Sequence, residues 1–237
     1  MFQSNKEYIE FLRQSGVHTF LQEKPNNLIQ NKEKHKEIIE NTVSKKLDEV
    51  SSIEDLITII ENHNSDLKKM AKNIVLSDGN VNSRVMIIGD YPDKVDDIEG
   101  LPFVGEAGLL LNKMLSAIQL ERKDIYVTNA IPWIIPKNRA PTEEEILEFL
   151  PFLQRQIEII KPKFIFLLGS TAVKAILSTP ISLEKLRGKW HKYKSINMKT
   201  DVKVLVSYHP AFLLRSPNFK KGAWDDLQML QEKINEN

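Results

Sequence analysis

Val202-Lys203-Val204-Leu205-Val206-Ser207-Tyr208-His209-Pro210 runs from a short, β-branched apolar segment straight into a histidine pinned by a proline. The apolar part has the length and composition of a strand buried on both faces of an α/β sheet. Ala211-Phe212-Leu213-Leu214-Arg215 follows, three large apolar side chains ending on a cation. Two readings fit this loop. Its apolar residues dock it onto the core, or they form a wedge that, beside a cation, pries bases from a nucleic-acid stack.

The pattern recurs upstream. Val85-Met86-Ile87-Ile88 ends at Gly89-Asp90-Tyr91-Pro92, Ile125-Tyr126-Val127-Thr128-Asn129 reads as a second strand, and Phe164-Ile165-Phe166-Leu167-Leu168 as a third ahead of Gly169. Helical periodicity separates them. Leu109 to Leu120 turns Leu110, Met114, Leu115 and Ile118 inward, Thr142 caps a long helix to Ile160 with Glu143, Glu144 and Glu145 on its positive end, and Ser170 to Leu177 makes another. A last helix is expected from about Ala223 to Ile234. This alternation predicts an α/β fold of three layers, α/β/α, around a central four-stranded parallel sheet. Such sheets place their sites at the carboxyl ends of the strands. Those ends carry Asp90, Asn129, Gly169 and His209, so an acid, an amide and an imidazole are expected to converge.

The first residues read differently. Residues 1–24 suggest an amphipathic helix with Tyr8, Phe11, Leu12, Phe20 and Leu21 on one face, broken at Pro25-Asn26-Asn27. Asn31 to Lys46 is dense in Lys, Glu and Asn and reads as a solvated linker or exposed helix. Ser51 and Ser52 then precede a helix carrying Ile53, Leu56, Ile57 and Ile60. The expected division is a helical extension with charged linker over 1–72 and an α/β domain over 73–237.

Composition bounds the chemistry. With 237 residues, 41% hydrophobic and 27% charged, the chain is ordinary for a globular protein. No apolar run approaches the roughly 20 residues of a membrane span, and the N-terminus lacks a signal-peptide core, so cytoplasmic residence is expected. The absence of cysteine excludes disulfides, thiolate zinc sites, cysteine nucleophiles and cysteine-ligated iron–sulfur clusters. Net charge is only +1, but Lys185 to Lys221 holds ten Lys or Arg against one acid, Asp201, a local basic field suited to phosphate.

Together these segments resemble the family 4 uracil-DNA glycosylases, over roughly residues 64–235. Gly89-Asp90-Tyr91-Pro92 is similar to that family's Gly-Glu-Ala-Pro-Gly motif, and Leu101-Pro102-Phe103-Val104-Gly105-Glu106-Ala107-Gly108 to its Arg-Pro-Phe-Val-Gly-x-Ala-Gly segment. Tyr126-Val127-Thr128-Asn129 with Pro136-Lys137-Asn138-Arg139-Ala140-Pro141-Thr142 resembles a third block, and Leu186-Arg187-Gly188-Lys189-Trp190 and Tyr208 to Arg215 complete the set. The resemblance implies an enzyme that flips uracil out of DNA and hydrolyses its N-glycosidic bond, leaving an abasic site. It implies Phe103 stacking on the base, Asn129 reading its edge, and His209 stabilising the departing uracil anion. Asp90, in the place of a glutamate, would hold water or the sugar near the oxocarbenium-like carbon. Phe212, Leu213 and Leu214 would fill the hole left by the nucleotide, and Asn138, Arg139 and Arg215 would contact phosphate.

The chain departs from that pattern in two places. The resemblance implies a [4Fe–4S] cluster on four cysteines, but Ser65, Trp133 and Phe149 stand at expected cysteine positions. No cofactor and no metal are therefore expected, with apolar packing in the cluster's place. Tyr91 and Asp93 replace small residues of the first motif, so Tyr91 either gates the base pocket or blocks it. Two rivals to the enzyme stay open: a homologue that binds DNA or uracil without turnover, and an interaction module whose residues 1–72 dock a repair or replication protein. Oligomeric state has no signature in the sequence.

Overall fold

Short β-branched runs with no polar face must be covered on both sides, and here they are. The computed structural model describes residues 47–236 apart from 196 and 199 and the side chain of 138. Four strands, β2 (Val85–Gly89), β3 (Tyr126–Asn129), β4 (Phe164–Leu168) and β6 (Val202–Ser207), form the parallel centre of one sheet. Every residue of β2, β3 and β4 is buried. The expected parallel sheet is extended at each edge by an antiparallel strand, β1 (Ser77–Gly79) on β3 and β5 (Trp190–Tyr193) on β6, giving the order β1-β3-β2-β4-β6-β5.

Helices cover both faces. On one side α3 (Glu106–Ala117) and α8 (Lys220–Asn235) pack over Val85, Ile87, Val127, Phe166 and Leu205. On the other, α4 (Glu143–Ile160) and α5 (Ser170–Leu177) complete the α/β/α layering. The α4 start is fixed by a capping box, in which Thr142 Oγ1 accepts from the Glu145 amide at 3.2 Å and Glu145 Oε2 accepts from the Thr142 amide at 2.7 Å. Gln156 of α4 ties the helix to β3, donating to the Tyr126 hydroxyl at 2.9 Å and accepting from Thr128 Oγ1 at 3.0 Å.

Part of the N-terminal extension joins this layer. Helix α1 (Ile53–Asn62), capped by Ser52, packs on α4, and His63 meets the rings of Phe149 and Phe152 edge-on at 6.1 and 5.2 Å. Arg155 of α4 donates from Nε to the Val50 carbonyl at 2.8 Å. The compact unit containing the sheet begins at Leu47. The amphipathic helix and linker expected before it lie outside the described residues.

Register aligns the loops that matter. Gly89 pairs with Asn129, Ile88 with Leu167, and Leu168 with Ser207, so the chain leaves β2, β3, β4 and β6 along one edge. Winding runs outward from β2 to β3, then returns to β4 on β2's other side. The switch point between β2 and β4 is where parallel sheets open a crevice.

Candidate active site

Asp90 leaves β2 at that switch point. Its Oδ1 accepts from the backbone amides of Thr171 and Ala172, at 2.8 and 2.9 Å, in the first turn of α5. Gly169 makes room for this: its φ is +108°, and a Cβ there would come within 2.3 Å of Asp90 Oδ2. Only glycine serves at a position with both constraints. Burial pushes the Asp90 carboxyl up to about 6, against the pull of the two amides and the Lys174 charge.

His209 leaves β6 and caps α7 (Pro210–Arg215), with Pro210 in the first turn. Its Nδ1 accepts from the Ala211 amide at 3.2 Å, which leaves the ring proton on Nε2. Burial, reinforced by the Arg215 charge and opposed by Asp93, lowers its pKa to about 4, so the ring is neutral at ordinary pH. Phe103 stacks on it, with centroids 5.4 Å apart and planes at 26°. The Phe103 backbone is left-handed, with φ +57°, and Gly108 permits the turn because a Cβ there would meet Phe103 O at 1.7 Å.

Asn129 ends β3 beside them. Its Oδ1 and Nδ2 are both buried, and neither has a hydrogen-bond partner. A Cβ on Gly89 would lie 2.5 Å from Asn129 Oδ1 and 2.4 Å from Phe103 Cζ, so ring and amide flank the same glycine. Above this floor lies a cleft of about 650 Å³ lined by Asp90, Tyr91, His209, Phe212 and Arg215, with Ile135 and Leu183. Phe103 and Asn129 are not among its lining residues. Tyr91 is one wall of it, half-buried, with its hydroxyl donating to the Arg139 carbonyl at 3.4 Å. Burial and then the Asp90 charge raise the Tyr91 phenol above its ordinary pKa. Acid, amide and imidazole thus gather at one edge, as their places on the strands predicted.

The expected wedge differs. The segment is the helix α7, and Leu213 points into the core at 1% exposure. Leu213 therefore docks the segment and is not available to fill a vacated stack. Phe212 packs against Tyr208 and Phe219, at 5.4 and 5.0 Å between centroids, while Leu214 is 40% exposed and Arg215 lies beside it. Helical turn explains the split, since side chains in succession face different ways. Arg139 is held by Glu145, Nη1 to Oε2 at 2.7 Å and Nη2 to Oε1 at 2.5 Å, so its guanidinium braces the start of α4. The Asn138 side chain lies outside the described residues.

Asp93 has a role that the sequence reading missed. It caps α2 (Lys94–Glu99), accepting from the Val95 and Asp96 amides at 2.7 and 3.0 Å, and Asp96 completes the capping box. The Asp-x-x-Asp spacing from Asp93 to Asp96 was the available signal. At the positions where cluster cysteines are expected, Trp133 and Phe149 are buried and Ser65 Oγ accepts from the Leu67 amide at 3.3 Å. These side chains offer no thiolate and do not fit an iron–sulfur cluster. Among the described residues no group of three or more His, Cys, Asp or Glu is placed to hold a metal ion.

The sequence matches the family model of the uracil DNA glycosylase superfamily over residues 76–228. It is 38% identical over 173 residues to a type-4 uracil-DNA glycosylase of Saccharolobus solfataricus, covering 71% of this chain and 79% of that one. It is 35% identical over 190 residues to a type-4 uracil-DNA glycosylase of Archaeoglobus fulgidus, covering 77% and 94%. A type-4 uracil-DNA glycosylase of Thermotoga maritima is 37% identical over 145 residues, 61% of this chain and 73% of the relative.

Proposed function

The chain belongs to the uracil DNA glycosylase superfamily, among the type-4 enzymes, and from that premise we propose that it excises uracil from DNA. The bond hydrolysed is the N-glycosidic one, the product is an abasic site, and the setting is base excision repair in the cytoplasm. The observation that carries this reading is Asn129, a buried amide with neither its donor nor its acceptor matched. Such a pair of unmet groups costs free energy in the empty protein and is relieved by a ligand of complementary edge. Uracil presents an N–H beside a carbonyl. An amide held in one orientation matches that edge and mispairs with cytosine, whose donor and acceptor are exchanged.

The remaining roles follow from charge. Breaking the glycosidic bond leaves electrons on the base and a deficit on the sugar. A neutral His209, donating from Nε2, stabilises the developing base anion without itself losing a proton. Asp90, ionised above pH about 6, balances the cationic sugar or orients the attacking water. Phe103, stacked on His209 by one face, offers its other face to the base. Leu214 is the apolar side chain free to enter the vacated stack, and Arg215 the adjacent cation for phosphate.

A second reading has one observation in its favour: Tyr91 stands in the cleft wall, and the cleft's lining stops short of Asn129. In that reading the site retains DNA without turnover. Single-turnover cleavage of a labelled oligonucleotide bearing one uracil, developed by alkaline scission, separates the two. Uracil-dependent cutting that is absent with thymine and lost in His209→Ala is the expected result. Binding without cutting at high enzyme overturns it in favour of a closed site.

A further inference from the structure

We propose that the corner between α7 and α8 is a second nucleic-acid contact, a stacking platform for an unpaired base adjoining the nucleotide in the cleft. It rests on the reading of the cleft as a DNA site and adds a substrate class: the strand is bound best where it is single-stranded.

Two large aromatic side chains stand out of this corner. Phe219 is 42% exposed and Trp224 40% exposed, among the exposed charges Arg215, Lys220, Lys221 and Asp225. Phe219 is fixed from behind by Phe212 and Tyr208, at 5.0 and 5.2 Å between centroids. Phe212 also lines the cleft, so the Phe219 end of the platform adjoins the site by direct ring contact. Trp224 follows Lys220 and Lys221 by four and three residues in α8. Helical side chains lean toward the N-terminus, which brings the indole over the turn that carries those two lysines.

The charges point the same way. Arg215, Lys220 and Lys221 are exposed, and none is in an ion pair among the described residues. The first turn of α8 holds two lysines and no acid, the reverse of the placement that stabilises a helix start. Exposed aromatic faces interleaved with unpaired cations are what a strand of nucleic acid requires, bases on the rings and phosphates on the charges. A duplex covers its base faces, so the rings have work only against unpaired bases.

The test uses binding of the full chain to a labelled thymidine oligonucleotide, which contains no uracil, alongside a blunt duplex of the same length. Trp224→Ala is expected to weaken single-strand binding about tenfold and to spare the duplex. Trp224→Phe, which keeps a ring, is expected to retain most of the affinity. The Lys220→Ala, Lys221→Ala pair lowers the salt slope by about 0.7 for each phosphate that is no longer neutralised. Phe219→Ala adds to the Trp224 effect if it folds; the Trp224 series stands without it. Equal losses on both substrates, or no loss, overturn the platform, the latter in favour of a protein occupant. Failure of the wild type to bind single strands overturns it too. Uracil cutting that persists with a silent Trp224→Ala leaves the glycosylase standing and removes the platform; platform-dependent binding without cutting does the reverse.

Discussion

Arg187 grips Asp226 through two parallel bonds, Nη2 to Oδ1 at 2.9 Å and Nε to Oδ2 at 3.1 Å, with the carboxylate wholly buried. Asp226 Oδ2 also accepts from Ser207 Oγ at 2.7 Å, and the guanidinium lies 5.1 Å from the Tyr208 ring centroid while donating to the Gly222 carbonyl. The pair thus joins the end of β6, which carries His209, to α8 and to the turn before β5. Burial holds the Asp226 carboxyl above its ordinary pKa despite the bonds from Ser207 and Arg187. Removing one partner strands the other charge in the interior.

Arg187→Ala and Asp226→Ala are therefore each expected to destabilise by about 3–5 kcal/mol, read from urea unfolding midpoints. Arg187→Lys recovers only part, because an ammonium has no bidentate fork. A double variant that costs no more than either single change is the sign of a coupled pair. Additive losses would show that the two residues act separately.

Asp90 predicts opposite changes in stability and activity. Its folded pKa, about 6, lies above the ordinary 3.8, so its contribution to stability is fully present below 3.8 and lost as pH rises through 6. Asp90→Asn keeps an oxygen for the Thr171 and Ala172 amides and carries no charge. Thermal unfolding at pH 8 should show the variant more stable, by up to about 3 kcal/mol, with the gain vanishing near pH 4. Uracil cutting should disappear in the same variant, and in the wild type should fall below pH about 6. His209, at about 4, is neutral across that range, so the acid limb belongs to Asp90. A limb unmoved by substitution at Asp90 would remove it from the chemistry.

The four parallel strands were legible because each is a short apolar run buried on both faces. β5, Trp190-His191-Lys192-Tyr193, was not, since an edge strand needs only one covered face and mixes polar with apolar residues. α7 reads as a loop in the sequence although Pro210 in its first turn, behind a capping residue, is a helix-start signal; the three apolar residues after it invite the wedge reading instead. Strand ends located Asp90, Asn129 and His209 without any contact information. Their partners were out of reach: the Asp90 bonds span 81 and 82 residues, and the Arg187–Asp226 pair spans 39. Exposure was equally invisible, and it separates Leu213 from Leu214.

Where a cluster would need thiolates, the chain has packing, and packing has its own signature. Phe149 is buried against His63 and Phe152, so Phe149→Ala should cost about 3–5 kcal/mol. The Trp133 indole nitrogen is buried without a partner, so Trp133→Phe loses no hydrogen bond and should change stability by less than about 1.5 kcal/mol. Chelator should leave both unfolding midpoints unchanged. A chelator-dependent drop would mean that a metal supports this region after all.

Asn129 separates function from stability most sharply. Most buried polar side chains lose hydrogen bonds on truncation, and stability falls with them. The Asn129 amide makes none in the empty protein, so Asn129→Ala removes two unmet polar atoms along with a little packing. Urea unfolding should place it within about 1 kcal/mol of the wild type, and Asn129→Leu, similar in volume and wholly apolar, at or above it. Single-turnover cutting of uracil should nevertheless fall by at least about 100-fold in both, because the base edge then meets no partner in a dry site. Were Asn129→Ala to lose several kcal/mol with its activity, the amide would be a structural group whose partners form within the protein. Stability kept and cutting lost is the pattern of a side chain held open for a base.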